Sequence, residues 1–283
     1  MKHKKWIALA LATFTVFLFS ARNREKENNI EYILNKETDT YRVVSYTDTT
    51  SGKVLTIPDT FNGKKVTAIG EPALPAIHSA DTLEKIVLGK NIEIIEDWGI
   101  GDCRYLKRIE VSEENENFCD LDGVLYSKDK TKLITYPNAH SAVYSKSGKL
   151  EKQGAYAVPE GCKIIGHSAF YKCYGLGAVT LPSTLEVIEE FAFHKCEALT
   201  KINFPEGLTT IQKDAFLGCT GLTEITLPST IRELGQTAFF NALNIKEVRI
   251  KTAEKNVKQG ERWFPTSAGR SVDFKLTWDY KGE

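Results

Sequence analysis

Apolar positions in this chain return in one short pattern, Leu-x-x-Ile/Val-x-Leu/Phe. It occurs as Leu83, Ile86, Leu88; Leu106, Ile109, Val111; Leu176, Val179, Leu181; Leu199, Ile202, Phe204; and Leu222, Ile225, Leu227, with a degenerate last copy at Ile245, Val248 and Ile250. Residues two apart at the end of each run point the same way, which predicts a short strand with one buried face. Pro159, Pro182, Pro205 and Pro228 follow strands; with no N–H to donate, each stops the ladder and turns the chain. A second apolar run comes next, as in Leu185, Val187, Ile188 or Leu208, Ile211. The block Ala-Phe-x-x-Cys then predicts one helical turn with Phe and Cys on the same inward face.

The Ala-Phe pair recurs at Ala169-Phe170, Ala192-Phe193, Ala215-Phe216 and Ala238-Phe239 at a constant step of 23 residues, a step shared by the four prolines and by Cys173, Cys196 and Cys219. A period in the twenties is that of leucine-rich repeats. One such coil is a single thin layer that cannot bury its own apolar edge, so stacking is compulsory. The expected fold is an α/β leucine-rich-repeat solenoid, strand-dominated with short helical turns, with about eight stacked coils and capped ends. Parallel strands about 4.8 Å apart then make a surface about 40 Å long, suited to a protein or polymer.

Open solenoid ends expose core and a sheet edge, so caps are expected. The chain divides into a leader at 1–21, an N-terminal cap at 22–54, the solenoid at 55–250 and a C-terminal cap at 251–283. In the first cap, Ile30 to Leu34 and Tyr41 to Tyr46 read as strands around a polar turn. Residues 55–82 read as a looser first coil, with Ala73-Leu74 in the place of Ala169-Phe170. Near the end, residues 251–270 read as a polar loop holding Trp263 and Phe264, and Val272, Phe274, Leu276 and Trp278 alternate as a closing strand. Ile95 and Cys103 match Ile165 and Cys173 at a spacing of 70, one more than three periods, so residues 112–158 fill roughly two coils in altered form. Within them, Asp122 to Tyr126 and Leu133 to Pro137 read as a hairpin that stays in the stack.

Residues 1–21 have a basic start (Lys2, Lys4, Lys5), an apolar run from Trp6 to Phe19 and then small Ser20 and Ala21. That is the layout of a signal peptide, and the run is shorter than the roughly twenty residues a membrane-spanning helix needs. No Cys follows the run, as a lipoprotein would require, so a secreted or cell-surface chain with no transmembrane segment is expected. Loss of the leader lowers the cations from 37 to 34 against 37 acids. Such a balance argues against nucleic acid as a partner.

The Ile-Gly-x-x-Ala-Phe-x-x-Cys block at Ile165 to Cys173, the Leu-Pro-Ser-Thr turns at Leu181 to Thr184 and Leu227 to Thr230, and Asp-Gly-Val-Leu-Tyr-Ser-Lys-Asp at Asp122 to Asp129 resemble the BspA-like leucine-rich repeats of bacterial surface proteins. The likeness spans about residues 50–250. It implies a secreted or surface-attached protein, commonly linked with adhesion to host proteins or other cells, and carries no catalytic residues.

Chemistry-bearing residues alter this picture little. Cys103, Cys173, Cys196 and Cys219 keep the repeat position, and Cys162 aligns with Leu185, Leu208 and Ile231; all five read as small buried apolar residues holding reduced thiols, since parallel vectors suit a disulfide badly. Without a Cys-x-x-Cys pair no zinc site is expected, and Asp120-x-Asp122-Gly123 lacks the further ligands of a calcium loop and reads as a turn. Neither metal nor cofactor is expected. His167 and His194 align with Glu190 and Tyr171, a variety that predicts surface positions. No nucleophile elbow, metalloprotease motif or phosphate loop occurs, so no enzyme is expected. The candidate binding face is the outward row of the strands: Lys85, Arg108, Glu110, Lys201, Asn203, Glu224, Thr226, Glu247 and Arg249. It is mixed in sign and has none of the aromatic anchors of a tight protein site. The expected function is binding of a protein or glycan at a cell surface by a monomer. Alternatives are a secreted hydrolase built on Asp120, Asp122 and His140, and an envelope scaffold without a specific ligand.

Overall fold

The computed structural model describes residues 24–49, 53–145, 147–267 and 273–282; the predicted leader and Val272 lie outside them. The Leu-x-x-Ile-x-Leu runs form a first wall of parallel strands in three bonded groups. Val54–Ile57, Lys85–Leu88 and Arg108–Val111 make one group, Gly154–Ala157, Leu176–Thr180 and Lys201–Ile202 a second, and Glu224–Leu227, Glu247–Ile250 and Lys275–Thr277 a third. The second apolar run forms another wall. Its strands are Thr40–Tyr46, Lys64–Ile69 and Ile94–Ile95, then Lys132–Thr135, Ile164–Ile165, Val187–Ile188, Thr210–Ile211, Glu233–Leu234 and Lys258–Gln259. These nine levels give about nine turns, against about eight expected. The additional level is the segment expected to be a polar loop: Lys258–Gln259 continues the wall, Trp263 is buried, and its carbonyl accepts the Phe239 N–H at 2.9 Å.

Ala-Phe-x-x-Cys is not helical, which corrects the α/β expectation. Among the described residues the only helix is the 3-10 turn Glu254–Asn256. Left-handed residues are the reason: Ser168, Phe191, Asp214 and Thr237 have φ of 54–56°, and Lys172, Lys195, Gly218 and Asn241 have φ of 55–75°, both sets one period apart. A right-handed helix does not tolerate a left-handed residue every fourth position. The backbone groups this frees go to the next coil instead, with Ser168, Phe170 and Lys172 donating to the carbonyls of Glu190, Ala192 and His194 at 3.0, 2.7 and 2.8 Å.

Stacking positions the core. The rings of Phe170, Phe193, Phe216 and Phe239 lie parallel at centroid spacings of 4.7, 4.9 and 5.0 Å, the spacing the strands impose. Beside them the thiols of Cys196 and Cys219 donate to the carbonyls of Phe170 and Phe193, one coil earlier, at 3.0 Å each. All six cysteines are free, five of them buried. Outer corners are tied as well, since Ser183 and Ser229 give both N–H and hydroxyl to Glu160 and Glu206 of the preceding coil.

Residues 112–158 interrupt this order. Phe118–Leu121, Val124–Ser127 and Lys132–Thr135 form an antiparallel meander, with Asp122 (φ 50°) and Gly123 (φ 82°) in its first turn; two positive φ values make the Asp-Gly hairpin turn. Side chains of the middle strand alternate between two cores: Leu125 packs with residues 30–118, and Val124 and Tyr126 with residues 133–263. At the N-terminal side, Thr40–Tyr46 pairs with Ile30–Asn35, and the charged Arg24–Glu27 covers that strand's far edge. Ala73-Leu74 does not take the Ala-Phe position. Leu74 is exposed, and the tight turn from Glu71 to Leu74 shifts the buried pair three residues on, to Ala76-Ile77.

Candidate functional site

The predicted outward row does line the first wall, and much of it is occupied with itself. Glu110 accepts from Lys85 at 3.0 Å and forms an ion pair with Arg108 at 3.1 Å. At the other end Arg249 bridges Glu224 at 3.1 Å and Glu247 at 2.5 Å, and Lys275 reaches Glu247 at 3.3 Å. Asn203 is committed to the neighbouring coil, accepting from the Leu181 N–H at 2.7 Å and donating to its carbonyl at 3.0 Å. Lys201 is exposed and Thr226 half-buried between these clusters. The wall brings all nine residues onto one side of the molecule, but they do not converge on a point.

Convergence occurs beside this wall, where the altered segment projects. Val143–Tyr144 and Leu150–Lys152 form a second hairpin that the sequence pattern did not reveal. Its seat depends on small neighbours: a Cβ on Gly175 would lie 2.6 Å from Ala142 Cβ and 2.7 Å from Tyr144 Oη. The equivalent residues one and three coils on are Ala198 and Asn244, and a side chain there would collide with this hairpin. Between hairpin and wall lies a groove of about 660 Å³. One side presents Tyr105, His140, Val143 and Tyr144, and the other the charged row Lys53, Glu84 and Lys107. Those three precede successive strands, so the coil register stacks them; Glu84 accepts from Lys53 at 2.6 Å and from Lys107 at 2.7 Å. The hydrogen bonds from Lys107 and Lys53 hold the Glu84 carboxyl below its ordinary range. Tyr105 and Tyr144 meet edge to face at 5.7 Å, and the Arg104 guanidinium lies 5.8 and 5.6 Å from their ring centres.

The hydrolase constellation does not assemble. Asp120 accepts from the N–H groups of Val111 and Gly123, and Asp122 is 95 % exposed at 3.9 Å from His140 Nε2. His140 Nδ1 sits 3.1 Å from the Lys107 carbonyl. Among the described residues no three His, Cys, Asp or Glu side chains are grouped to hold a metal ion, and no helix is long and apolar enough to cross a membrane. His167 and His194 are half-buried, not open surface. They belong to an aromatic cluster with Trp98, Tyr171 and Phe191, and their Nδ1 atoms have no hydrogen-bond partner among the described residues. Burial lowers the pKa of both.

Comparison with known proteins places this architecture. Residues 140–264 match the BspA type leucine rich repeat region in six copies. In structure the chain is similar to the pneumococcal vaccine antigen PcpA, at 20% identity over 88% of this chain and 89% of that one, with a TM-score of 0.52. It is also similar to a leucine-rich cell surface protein of Faecalibacterium prausnitzii, at 15% identity over 92% and 98% of the two chains, with a TM-score of 0.46. At 20% identity the likeness to PcpA is one of fold alone. No curated protein matches the chain in sequence. The thin coils, the Ala-Phe-x-x-Cys corner and the matched copies together make residues 140–264 a leucine-rich repeat region of the BspA type within a solenoid that runs on either side of it.

Proposed function

We propose that this is an exported, surface-located binding protein that uses the groove between its first wall and the hairpin at residues 143–152 to hold an extended partner, in an adhesion role. The observation that carries the reading is the groove: it gathers Tyr105, His140 and Tyr144 at the break in the repeat. Aromatic side chains around a concave surface are what binding sites use, and the remainder of the wall offers self-paired charges worth little to a partner. The basic, apolar and small-residue sequence at 1–21 supports export. Binding of the purified chain to immobilised matrix proteins, mucins and bacterial envelope extracts tests the reading, with Tyr144→Ala and a variant whose 145–149 turn is shortened as comparators. Saturable binding to at least one preparation, weakened in both variants, is expected. Saturable binding to none, or binding indifferent to both variants, removes the groove from the function.

A further inference from the structure

The charges around the groove are unequal. Lys53 and Lys107 share the single carboxylate of Glu84. Arg104 has no carboxylate at ion-pair distance among the described residues; it gives one N–H to the Gly148 carbonyl at 2.9 Å and otherwise faces the two tyrosine rings. The hairpin adds exposed Lys149 and Lys152 against exposed Glu151. With Asp122 included through its approach to His140, five cations stand against three carboxylates among the described residues, in a chain whose totals are 37 and 37. A local excess of this kind selects an anionic occupant.

The rings narrow its chemistry. Tyr105, Tyr144 and His140 are amphipathic, with polar atoms at the ring edges, and the aliphatic lining is shallow, Val143 being 46% exposed. An acidic peptide would gain most from an open sheet edge or a deep apolar anchor pocket. Here Lys85–Leu88, the strand that follows Glu84, is bonded on both sides and offers no edge to a peptide. Sugar rings suit this lining better, since they offer C–H faces to aromatic rings and hydroxyls to Tyr, His and Ser145. Arg104 retains further N–H donors in a planar fork, the geometry that grips a carboxylate or sulfate.

We infer that the groove takes a linear anionic polysaccharide, with acidic groups met by Arg104, Lys53 and Lys107 and ring faces packed on Tyr105 and Tyr144. This rests on the groove being the binding site. The probes are polygalacturonate and sulfated dextran oligomers, which separate a carboxylate from a sulfate requirement, with neutral dextran and poly-glutamate for comparison, all measured calorimetrically against the full chain. At least one acidic saccharide binds, and binding weakens as salt rises. Arg104→Gln, Lys107→Gln and Tyr144→Ala each lose about tenfold in affinity, while Arg249→Gln, at the far end of the wall, is unchanged. Melting curves confirm that each variant is folded, and Lys107→Gln supports the test should loss of the Arg104 contact to Gly148 loosen the hairpin. Equal binding of neutral dextran, equal or tighter binding of poly-glutamate, or an unchanged Tyr144→Ala overturns the inference. Binding to matrix or envelope preparations that Tyr144→Ala weakens but that survives removal of their polysaccharides removes the saccharide and keeps the groove. Indifference of Tyr144→Ala in both assays removes both.

Discussion

Residues 159–250 and residues 112–158 build the same two walls by opposite means. In the first stretch the contacts that hold the core and corners are copies: four stacked phenylalanines, thiols on the carbonyls of the coil before, serines on the glutamates of the coil before. In the second, contacts are made once: Tyr126 and Tyr156 share a hydroxyl hydrogen bond of 2.8 Å, and Tyr136 and Ser141 one of 2.6 Å. A strict period makes the surface uniform along its length, so it supplies stability without a distinct site. The groove exists because the period fails next to it.

Substitutions sharpen this contrast, beginning with the largest effect. Phe193→Ala opens a cavity in the middle of the ring stack and is expected to lower stability by about 3–5 kcal/mol in chemical denaturation. Val143→Ala in the hairpin should change stability by no more than about 0.5 kcal/mol. Acid tests the aromatic cluster at the edge of the array. Burial, with Lys195 and Lys172 nearby, lowers the His194 pKa to about 4. The folded protein therefore resists a proton that the unfolded chain accepts near its ordinary value of 6.5. Its contribution is complete above that value and is lost as pH falls toward 4. Since the ring is only partly buried, the loss should be about 1–2 kcal/mol, and His194→Gln should flatten the wild-type slope over that range. Gly148→Ala places a side chain at φ +81° with its Cβ 2.5 Å from Tyr105 Oη. It should cost about 1 kcal/mol and reduce groove binding without touching the repeat core. Cysteine chemistry should change stability least. Denatured protein is expected to titrate six free thiols, while in the native state half-buried Cys119 reacts first. Burial raises the thiols of Cys162, Cys173 and Cys219, and that of Cys103 to about 12.

The parts of the fold legible in the sequence are those that repeat. Leu199, Ile202 and the Ala-Phe pairs state strand, turn and stacking several times over, and the thiol reading of Cys173, Cys196 and Cys219 follows from the same alignment. The left-handed corner was less visible. Gly218 and Asn241 carry the residue types that favour it, but Lys172, Lys195 and especially Phe191 do not, so the corner read as a helical turn. The ninth coil was hidden because Trp263 stands 24 residues after Phe239, with no Ala-Phe pair to mark it. Among the groove residues, the sequence brought forward only His140, and for a different chemistry. Tyr105 and Tyr144 lie 39 positions apart and belong to no motif; the signal that pointed to them was the extra residue in the 70-residue spacing, which marked the place where the coil is distorted.

The corner hydrogen bonds also have a direction. Ser168, Phe170 and Lys172 donate forward, as do Phe191, Phe193 and Lys195, then Asp214, Phe216 and Gly218, and finally Thr237, Phe239 and Asn241 toward Glu261, Trp263 and Thr266. Each layer thus finishes with three donors that the layer after it fills. During synthesis, which delivers the N-terminal end first, every completed rung is a waiting template for the one still being made. The coil that emerges next therefore meets donors already placed for its carbonyls.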